Sequence, residues 1–355
     1  MKENNYAVIM AGGVGSRFWP MSVEERPKQF LDVLGIGKTL IQLTFERLNN
    51  VVPAENFYIV TNEQYVSLVQ EQLPALKPHQ ILAEPARKNT APCITYAAAK
   101  IYSVNPDATL IVAPSDHLIL KEHKFVRILN KAIIRAKEED RLLTLGIKPS
   151  RPDTGYGYIQ FQQDGDIMPG QISKVKQFTE KPNRELAEIF LKSGDYYWNS
   201  GIFVWKATTV LKAIQKFQPE LYQLFCSDSS VYNTPQEKAY IQTAYDECED
   251  ISIDFAVMES AKNVDVVLAD FDWSDIGTWG SLFNHLERDV NGNSIKGENT
   301  HVFNSNNCLI NIPNNKTAII HGLNNHIVVE TDDRLLILDI KEEQNLKNYL
   351  ESIKK

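Results

Sequence analysis

The sequence predicts an α/β protein: a mostly parallel sheet flanked by helices, with a small β-domain at the carboxyl end. Three observations predict it. Short β-rich runs alternate with longer helical patterns through the first two-thirds of the chain. Long helices disappear after about Asp289, where Asn-rich turns punctuate short apolar runs. A glycine-rich turn also follows the first strand directly, as in sheets that bind ligands at their carboxyl edge.

The elements follow in order. Tyr6–Met10 reads as a buried strand, and Leu40, Leu43, Phe45 and Leu48 mark a helix over 40–48. Strands at 57–60, 81–82, 109–113 and 142–145 alternate with helical stretches at 63–73, 91–102 and 125–138. Such spacing gives βαβ units with helices on both faces, a Rossmann-like arrangement. From Tyr156 the texture changes: strands at 157–161, 172–178 and 201–205, with a helix at 184–191, read as a substrate-binding half on the same sheet. Residues 206–261 are mostly helical, and 264–268 is a further strand. Short strands at 308–312, 317–320, 327–329 and 335–338 form the terminal β-domain, a pattern that a few coils of a β-helix would give. Leu346, Tyr349, Leu350 and Ile353 end the chain with an amphipathic helix. The division is therefore 1–288 for the main domain and 289–355 for the β-domain.

Composition excludes several classes. Of 355 residues, 43% are hydrophobic and 23% charged, as in soluble globular proteins. The net charge of −8 argues against a nucleic-acid partner, which needs a local excess of Lys and Arg. No apolar run approaches the ~20 residues of a membrane helix, and the start from Met1 carries no secretory core. The four cysteines, 93, 226, 248 and 308, are scattered without metal-ligand spacing. A reduced, cytoplasmic protein is expected.

The most informative segment is Met10-Ala-Gly-Gly-Val-Gly-Ser-Arg-Phe-Trp-Pro20. Ala11, Gly12, Gly13, Gly15 and Ser16 can wrap an anion with backbone N–H groups, and Arg17 adds a fork of phosphate donors. The dinucleotide fingerprint fails because Phe18 stands at its third glycine. The P-loop fails too: five residues before Gly37-Lys38-Thr39 lies Asp32. A glycine loop alone would be read as a tight strand-to-helix turn. Joined to Arg26-Pro27-Lys28-Gln29-Phe30, it matches G-G-x-G-[ST]-R-[LF]-x-P followed by P-K.

In these segments the sequence resembles the sugar-1-phosphate nucleotidyltransferases, and the R-P-K-Q-F form resembles the bacterial mannose-1-phosphate guanylyltransferases. The resemblance runs in order to about Trp279 and implies the nucleotidyltransferase fold. It casts Arg17 and Lys28 as catalytic residues. Glu84-Pro-Ala-Arg-Lys-Asn-Thr-Ala-Pro92 looks like a guanine-recognition stretch, offering Glu84, Asn89 and Thr90, with Ser115 also on the nucleotide. Asn89 or Thr90 also reads as a helix cap. Asp116, in Ala113-Pro-Ser-Asp-His117, and Asp275, in Trp273-Ser-Asp-Ile-Gly-Thr-Trp279, would bind Mg²⁺. His117 reads as structural, since an ionised phosphate nucleophile needs no base.

Thr154-Gly-Tyr-Gly-Tyr-Ile159, Phe178-Thr-Glu-Lys-Pro182 and Trp198-Asn-Ser-Gly-Ile-Phe-Val-Trp205 resemble the hexose elements. They supply Gly157, Glu180, Lys181 and Asn199 to the sugar phosphate. The implied reaction joins GTP and mannose 1-phosphate into GDP-mannose and pyrophosphate, by in-line attack on the α-phosphorus. Rival readings are UTP or dTTP with glucose 1-phosphate, and a non-catalytic GDP-mannose-sensing subunit. The latter is disfavoured because Arg17, Lys28, Asp116 and Asp275 are all present. Phosphomannose isomerase activity is not expected, because no cupin-type domain follows. The β-domain and terminal helix are compatible with a homodimer.

Overall fold

A computed structural model describes residues 3–163 and 165–353. Met1 and Lys2 of the amino-terminal reading, and the last two residues of the 289–355 division, lie outside the described residues. The chain forms two compact units. The first takes in the chain up to Gly12, then Gln42–Ser115 and Ile119–Trp273. The second joins Gly13–Ile41, Asp116–Leu118 and the chain from Ser274 onward.

Elements run β1 (Asn5–Met10), α1 (Leu40–Asn49), β2 (Phe57–Asn62), α2 (Val66–Gln72), β3 (Ile81–Glu84), α3 (Thr90–Val104) and β4 (Thr109–Pro114). Then come β5 (Leu118–Ile119), α4 (Glu122–Glu138), β6 (Leu142–Ile147), β7 (Tyr158–Phe161), β8 (Ile172–Thr179), α5 (Arg184–Ser193) and β9 (Tyr196–Lys206). Helices α6 (Ala207–Phe217), α7 (Pro219–Cys226) and α8 (Glu237–Glu247) precede β10 (Val264–Ala269), β11 (Trp273–Ser274) and α9 (Trp279–Phe283). The chain closes with β12 (Ser294–Lys296), β13 (Thr300–Phe303), β14 (Leu309–Asn311), β15 (Ala318–His321), β16 (His326–Glu330), β17 (Leu335–Asp339) and α10 (Leu346–Ile353).

The first unit is built on one sheet of nine strands, ordered β3-β2-β1-β4-β9-β6-β10-β8-β7. Strands β3, β2, β1 and β4 are mutually parallel, as are β6 and β10. Strand β9 runs antiparallel to β4 and β6, and β7 and β8 also pair antiparallel. The 157–206 region belongs to the same sheet, with β9 between β4 and β6 and the pair β8 and β7 at one edge. Thr109–Ala113 is buried throughout, which suits a central strand covered on both faces. Helix α4 buries Phe125, Ile128, Leu129, Ala132, Ile133 and Ala136, at the three-and-four spacing of one face. Helix α5 begins where Asn183 accepts the Leu186 N–H and stops at Gly194, whose φ is 81°. Among the described residues no helix is long and apolar enough to cross a membrane.

The second unit contains the β-domain. β12, β14 and β16 stack in parallel, as do β13 and β15, while β17 pairs antiparallel with β16. A further parallel bridge joins Asn306 to Asn324, whose side chains bond at 3.0 Å. Cys308, Ile310, Ile312, Ile320 and Val328 fill the interior. This is the stacked-coil pattern of a short β-helix. Strands β12 and β13, absent from the sequence reading, carry few apolar residues and gain their place by pairing with later coils.

Candidate active site

In the first unit, the carboxyl edge of β3, β2, β1 and β4 presents the base-side residues. Glu84 ends β3 and is only 6% exposed; Tyr245 of α8 donates to its Oε1 at 2.7 Å. Burial pushes the Glu84 carboxyl up to about 7, against the pull of the Tyr245 hydrogen bond. A Cβ added to Gly12 would stand 3.3 Å from Glu84 Oε2, so Gly12 leaves the carboxylate its space. Asn89, at φ 67°, caps α3 by accepting the Thr90 N–H, and Thr90 Oγ1 accepts the Ile253 N–H at 2.9 Å. The cap expected for this stretch is therefore present, while the Thr90 hydroxyl is already engaged.

Two expected nucleotide contacts, Ala11 of the glycine loop and Ser115 after β4, have their backbone N–H groups spent inside the protein. The Ala11 N–H donates to the Val60 carbonyl at 2.8 Å, and its carbonyl accepts from Thr61 Oγ1. The Ser115 N–H donates to the Met10 carbonyl at 3.0 Å. Both backbones hold strands in register rather than offering donors.

In the second unit, the signature loop and the segment after Ser274 meet at Lys28. This lysine is 3% exposed. Its Nζ lies 2.7 Å from Asp116 Oδ2 and donates to the carbonyls of Asp275 and Ile276 at 2.8 and 2.9 Å. Three donors thus meet three acceptors, and one ammonium gathers the two aspartates expected to bind metal. Desolvation raises the Asp116 pKa, but the charge of Lys28, then His117 and the Lys28 hydrogen bond, hold it below the ordinary value. Its side chain is still 31% exposed. Asp275 is half-buried and accepts the Gly277 N–H through Oδ1. The fit to Mg²⁺ rests on this donor chemistry: two hard carboxylates, one of them ionised and partly open, with phosphate oxygens and water to complete the shell.

Of the loop glycines only Gly15 has a positive φ, 64°, and a Cβ there would sit 2.7 Å from Lys28 Cβ. Gly12 and Gly13 do not use that freedom, and a Cβ on Gly13 would meet nothing within 4 Å. Ser16 opens a short 3₁₀ turn, Ser16–Phe18. Arg17 is exposed and reaches Gln344 at 3.4 Å. Gln29 Nε2 donates to the Gly13 carbonyl and Ser22 Oγ to that of Val14, fixing the loop from behind. Phe18 packs on Trp279 at 4.8 Å between ring centroids, and the Trp279 indole donates to the Trp19 carbonyl. Ile276 holds φ 43°, a strained angle for a β-branched residue, and its carbonyl is one of the three acceptors that hold Lys28.

Back in the first unit, the hexose motifs converge. Gly157 has no room for a side chain: a Cβ would lie 2.4 Å from Glu180 Oε2 and 3.4 Å from Asn199 Cβ. The Asn199 N–H donates to the Gly157 carbonyl at 2.8 Å. Lys181, at φ 46°, bonds Glu180 Oε1 at 2.7 Å. The Asn199 carboxamide oxygen accepts from Thr144 Oγ1 and the Gly201 N–H, and its Nδ2 donates to Asp254 Oδ1 at 2.9 Å.

A model of the nucleotidyl transferase family matches residues 6–291 of this chain. The chain belongs to that family. This nucleotidyl transferase is 38% identical to the mannose-1-phosphate guanylyltransferase of Klebsiella pneumoniae, over 98% of its own length and 73% of that protein's. It is 37% identical to the alginate biosynthesis protein AlgA of Pseudomonas aeruginosa, covering 98% of this chain and 71% of AlgA. A solved structure from Thermus thermophilus, described as a mannose-1-phosphate geranyltransferase, superposes with a TM-score of 0.86 at 28% identity. That match covers 99% of this chain and all of the other.

Sequence reasoning missed Tyr245, Asp254, Thr144 and Gln29 in this nucleotidyl transferase. The first three stand far in sequence from the residues they touch, and a Tyr, Asp or Thr in isolation carries no motif. Gln29 lay inside the quoted R-P-K-Q-F run, but only its bond to Gly13 shows its use.

Proposed function

We propose that this chain is a mannose-1-phosphate guanylyltransferase, converting GTP and mannose 1-phosphate into GDP-mannose and pyrophosphate. The observation that carries the chemistry is the Lys28 ammonium joined to Asp116 and to the backbone of Asp275 and Ile276. The choice of guanine and mannose is supported by the 38% likeness to the Klebsiella protein of that name.

In this reading an oxygen of mannose 1-phosphate attacks the α-phosphorus in line, the bond to the β-phosphate oxygen breaks, and pyrophosphate leaves. Arg17, Gly13, Gly15 and Ser16 bind the triphosphate. Lys28 orients Asp116 and the turn at Asp275; its direct part in charge stabilisation requires its internal bonds to open. Asp116 and Asp275 would hold Mg²⁺, which when bound neutralises phosphate charge. Glu84, Asn89 and Thr90 read the base. Gly157, Glu180, Lys181 and Asn199 take the sugar phosphate. His117 Nε2 lies 4.0 Å from Asp116 Oδ1, beside the metal carboxylate, and is assigned no role as a base.

The chemistry is assigned to residues 1–288 and a supporting role to the β-domain, 289–355, with a cytoplasmic setting and a homodimeric state. The experiment is a pyrophosphate-release panel crossing four nucleoside triphosphates with several sugar 1-phosphates in Mg²⁺. GTP with mannose 1-phosphate should exceed every other pair. Preference for UTP or dTTP with glucose 1-phosphate would overturn the assignment.

A further inference from the structure

The sugar-side residues leave one carboxylate without a role. Asp254 opens a π-helical turn, Asp254–Met258, a rare form that recurs at functional sites. Asn199 lacks spare acceptor capacity, because its carboxamide oxygen already takes Thr144 and Gly201. The Gly201 N–H can only donate, so the amide's orientation is fixed, and Asp254 Oδ1 receives the N–H that follows from it. Glu180 Oε1 is bonded to Lys181. Among the described residues no side chain donates to Glu180 Oε2 or Asp254 Oδ2, although the Asp254 carboxyl also interacts with its own backbone N–H.

The same segment ties the sugar side to the base side. The Ala91 N–H donates to the Ile251 carbonyl at 3.0 Å, and the Ile253 N–H to Thr90 Oγ1 at 2.9 Å. One residue on, Asp254 meets Asn199; five further, Glu259 Oε1 accepts the Glu180 N–H at 3.1 Å. Four bonds within nine residues therefore link the start of α3 to both hexose motifs.

We propose that Asp254 is a second sugar-binding carboxylate beside Glu180, held in register with the Asn89–Thr90 end of α3 by the strap 251–259. The proposal rests on the sugar 1-phosphate reading above. A hexose offers neighbouring hydroxyl donors, and two carboxylate acceptors flanking a fixed amide can take two of them. The charged groups facing Asp254 are Glu180 and Lys181, with Asn199 as its polar partner. Burial, then the charge of Glu180, push the Asp254 carboxyl up to about 7, against the pull of the Lys181 charge, its own backbone N–H and Asn199.

The test is steady-state pyrophosphate release by the full chain, varying mannose 1-phosphate and GTP separately, for wild type, Asp254→Asn, Asp254→Glu and Thr90→Val. Asp254→Asn keeps an oxygen for Asn199 but loses the charge. It should raise the mannose 1-phosphate KM about tenfold or more, the scale of one hydrogen bond to a charged group, with the GTP KM and melting temperature near wild type. Thr90→Val should also raise the sugar KM, through the strap. If Asp254→Asn does not fold, Asp254→Glu decides: it keeps the charge one methylene out of place and should raise the sugar KM alone. In the Asp254 variants, an unchanged sugar KM, or equal changes in both KM values, overturns the proposal. If wild type releases pyrophosphate with no sugar 1-phosphate, the activity reading itself fails and this inference with it; a working wild type with an indifferent Asp254 variant refutes the inference alone.

Discussion

Replacing Glu84 by Gln tests whether the buried carboxylate at the end of β3 is held neutral near pH 7. Its pKa rises from 4.5 to about 7 because burial removes water from the charged form, although Tyr245 Oη donates to Oε1. The sign follows from linkage. Between these two values the unfolded chain has lost its proton while the folded protein keeps it. The stabilisation is fully present below pH 4.5 and is lost as pH rises through about 7. At 1.36 kcal/mol per pH unit, the loss amounts to about 3 kcal/mol. The glutamine side chain keeps an acceptor for Tyr245 but cannot ionise.

The assay is urea denaturation of wild type and Glu84→Gln at pH 4.5 and pH 8, with m-values checked for equality. Other groups titrate alike in both proteins and cancel in the comparison. Wild type should lose about 3 kcal/mol more than the variant across that interval. Parallel pH profiles would refute the claim that burial dominates at Glu84. The same variant should also weaken GTP use, if the carboxylate reads the base.

Three further outcomes follow from the site. Lys28→Met strands the Asp116 carboxylate and two carbonyls; stability should fall by about 2 kcal/mol, moderated by the partial exposure of Asp116, and its pKa should rise, visible by NMR titration. Gly157→Ala forces a Cβ to within 2.4 Å of Glu180 Oε2 and should raise the mannose 1-phosphate KM roughly tenfold, about 1.4 kcal/mol, while a GTP KM that moved equally would contradict it. Asp116→Asn and Asp275→Asn should each lower Mg²⁺-dependent turnover roughly a hundredfold with the melting point retained, and the double variant should be little worse than either single one; near-normal rates would remove these residues from the metal site.

Periodicity made most of the first unit readable. Leu110–Ala113 is an unbroken apolar run because both faces of β4 are covered, and α4 shows its stripe because one face is not. Strand direction was less legible. Nothing in Tyr196–Lys206 says that β9 runs against both neighbours; that is settled by the path from β8 through α5, a long-range choice. Strands β12 and β13 hid for the opposite reason: their pairing is with later coils, and Val302 is their one side chain packed on that core among the described residues.

The site divides along a similar physical line. Motif residues were recoverable where the backbone itself imposes the residue type. Gly15 is forced by its positive φ and by Lys28 Cβ, and Gly157 by the Glu180 carboxylate. Side-chain roles were harder, because a motif names a residue without saying which of its atoms are already spent. Ala11 and Ser115 gave their amide donors to neighbouring strands, and the Asn199 carboxamide is bonded on both sides. In each case the partner that uses up the group comes from a distant stretch: Val60 for Ala11, Met10 for Ser115, Asp254 for Asn199. Those partners are ordinary residues in the sequence, so they leave no pattern there. The carboxylate oxygens to which no side chain donates among the described residues, Glu180 Oε2 and Asp254 Oδ2 on the sugar side, are therefore a property of the fold rather than of the motif. That makes the pair a sharper place to test substrate recognition than the motif residue Asn199.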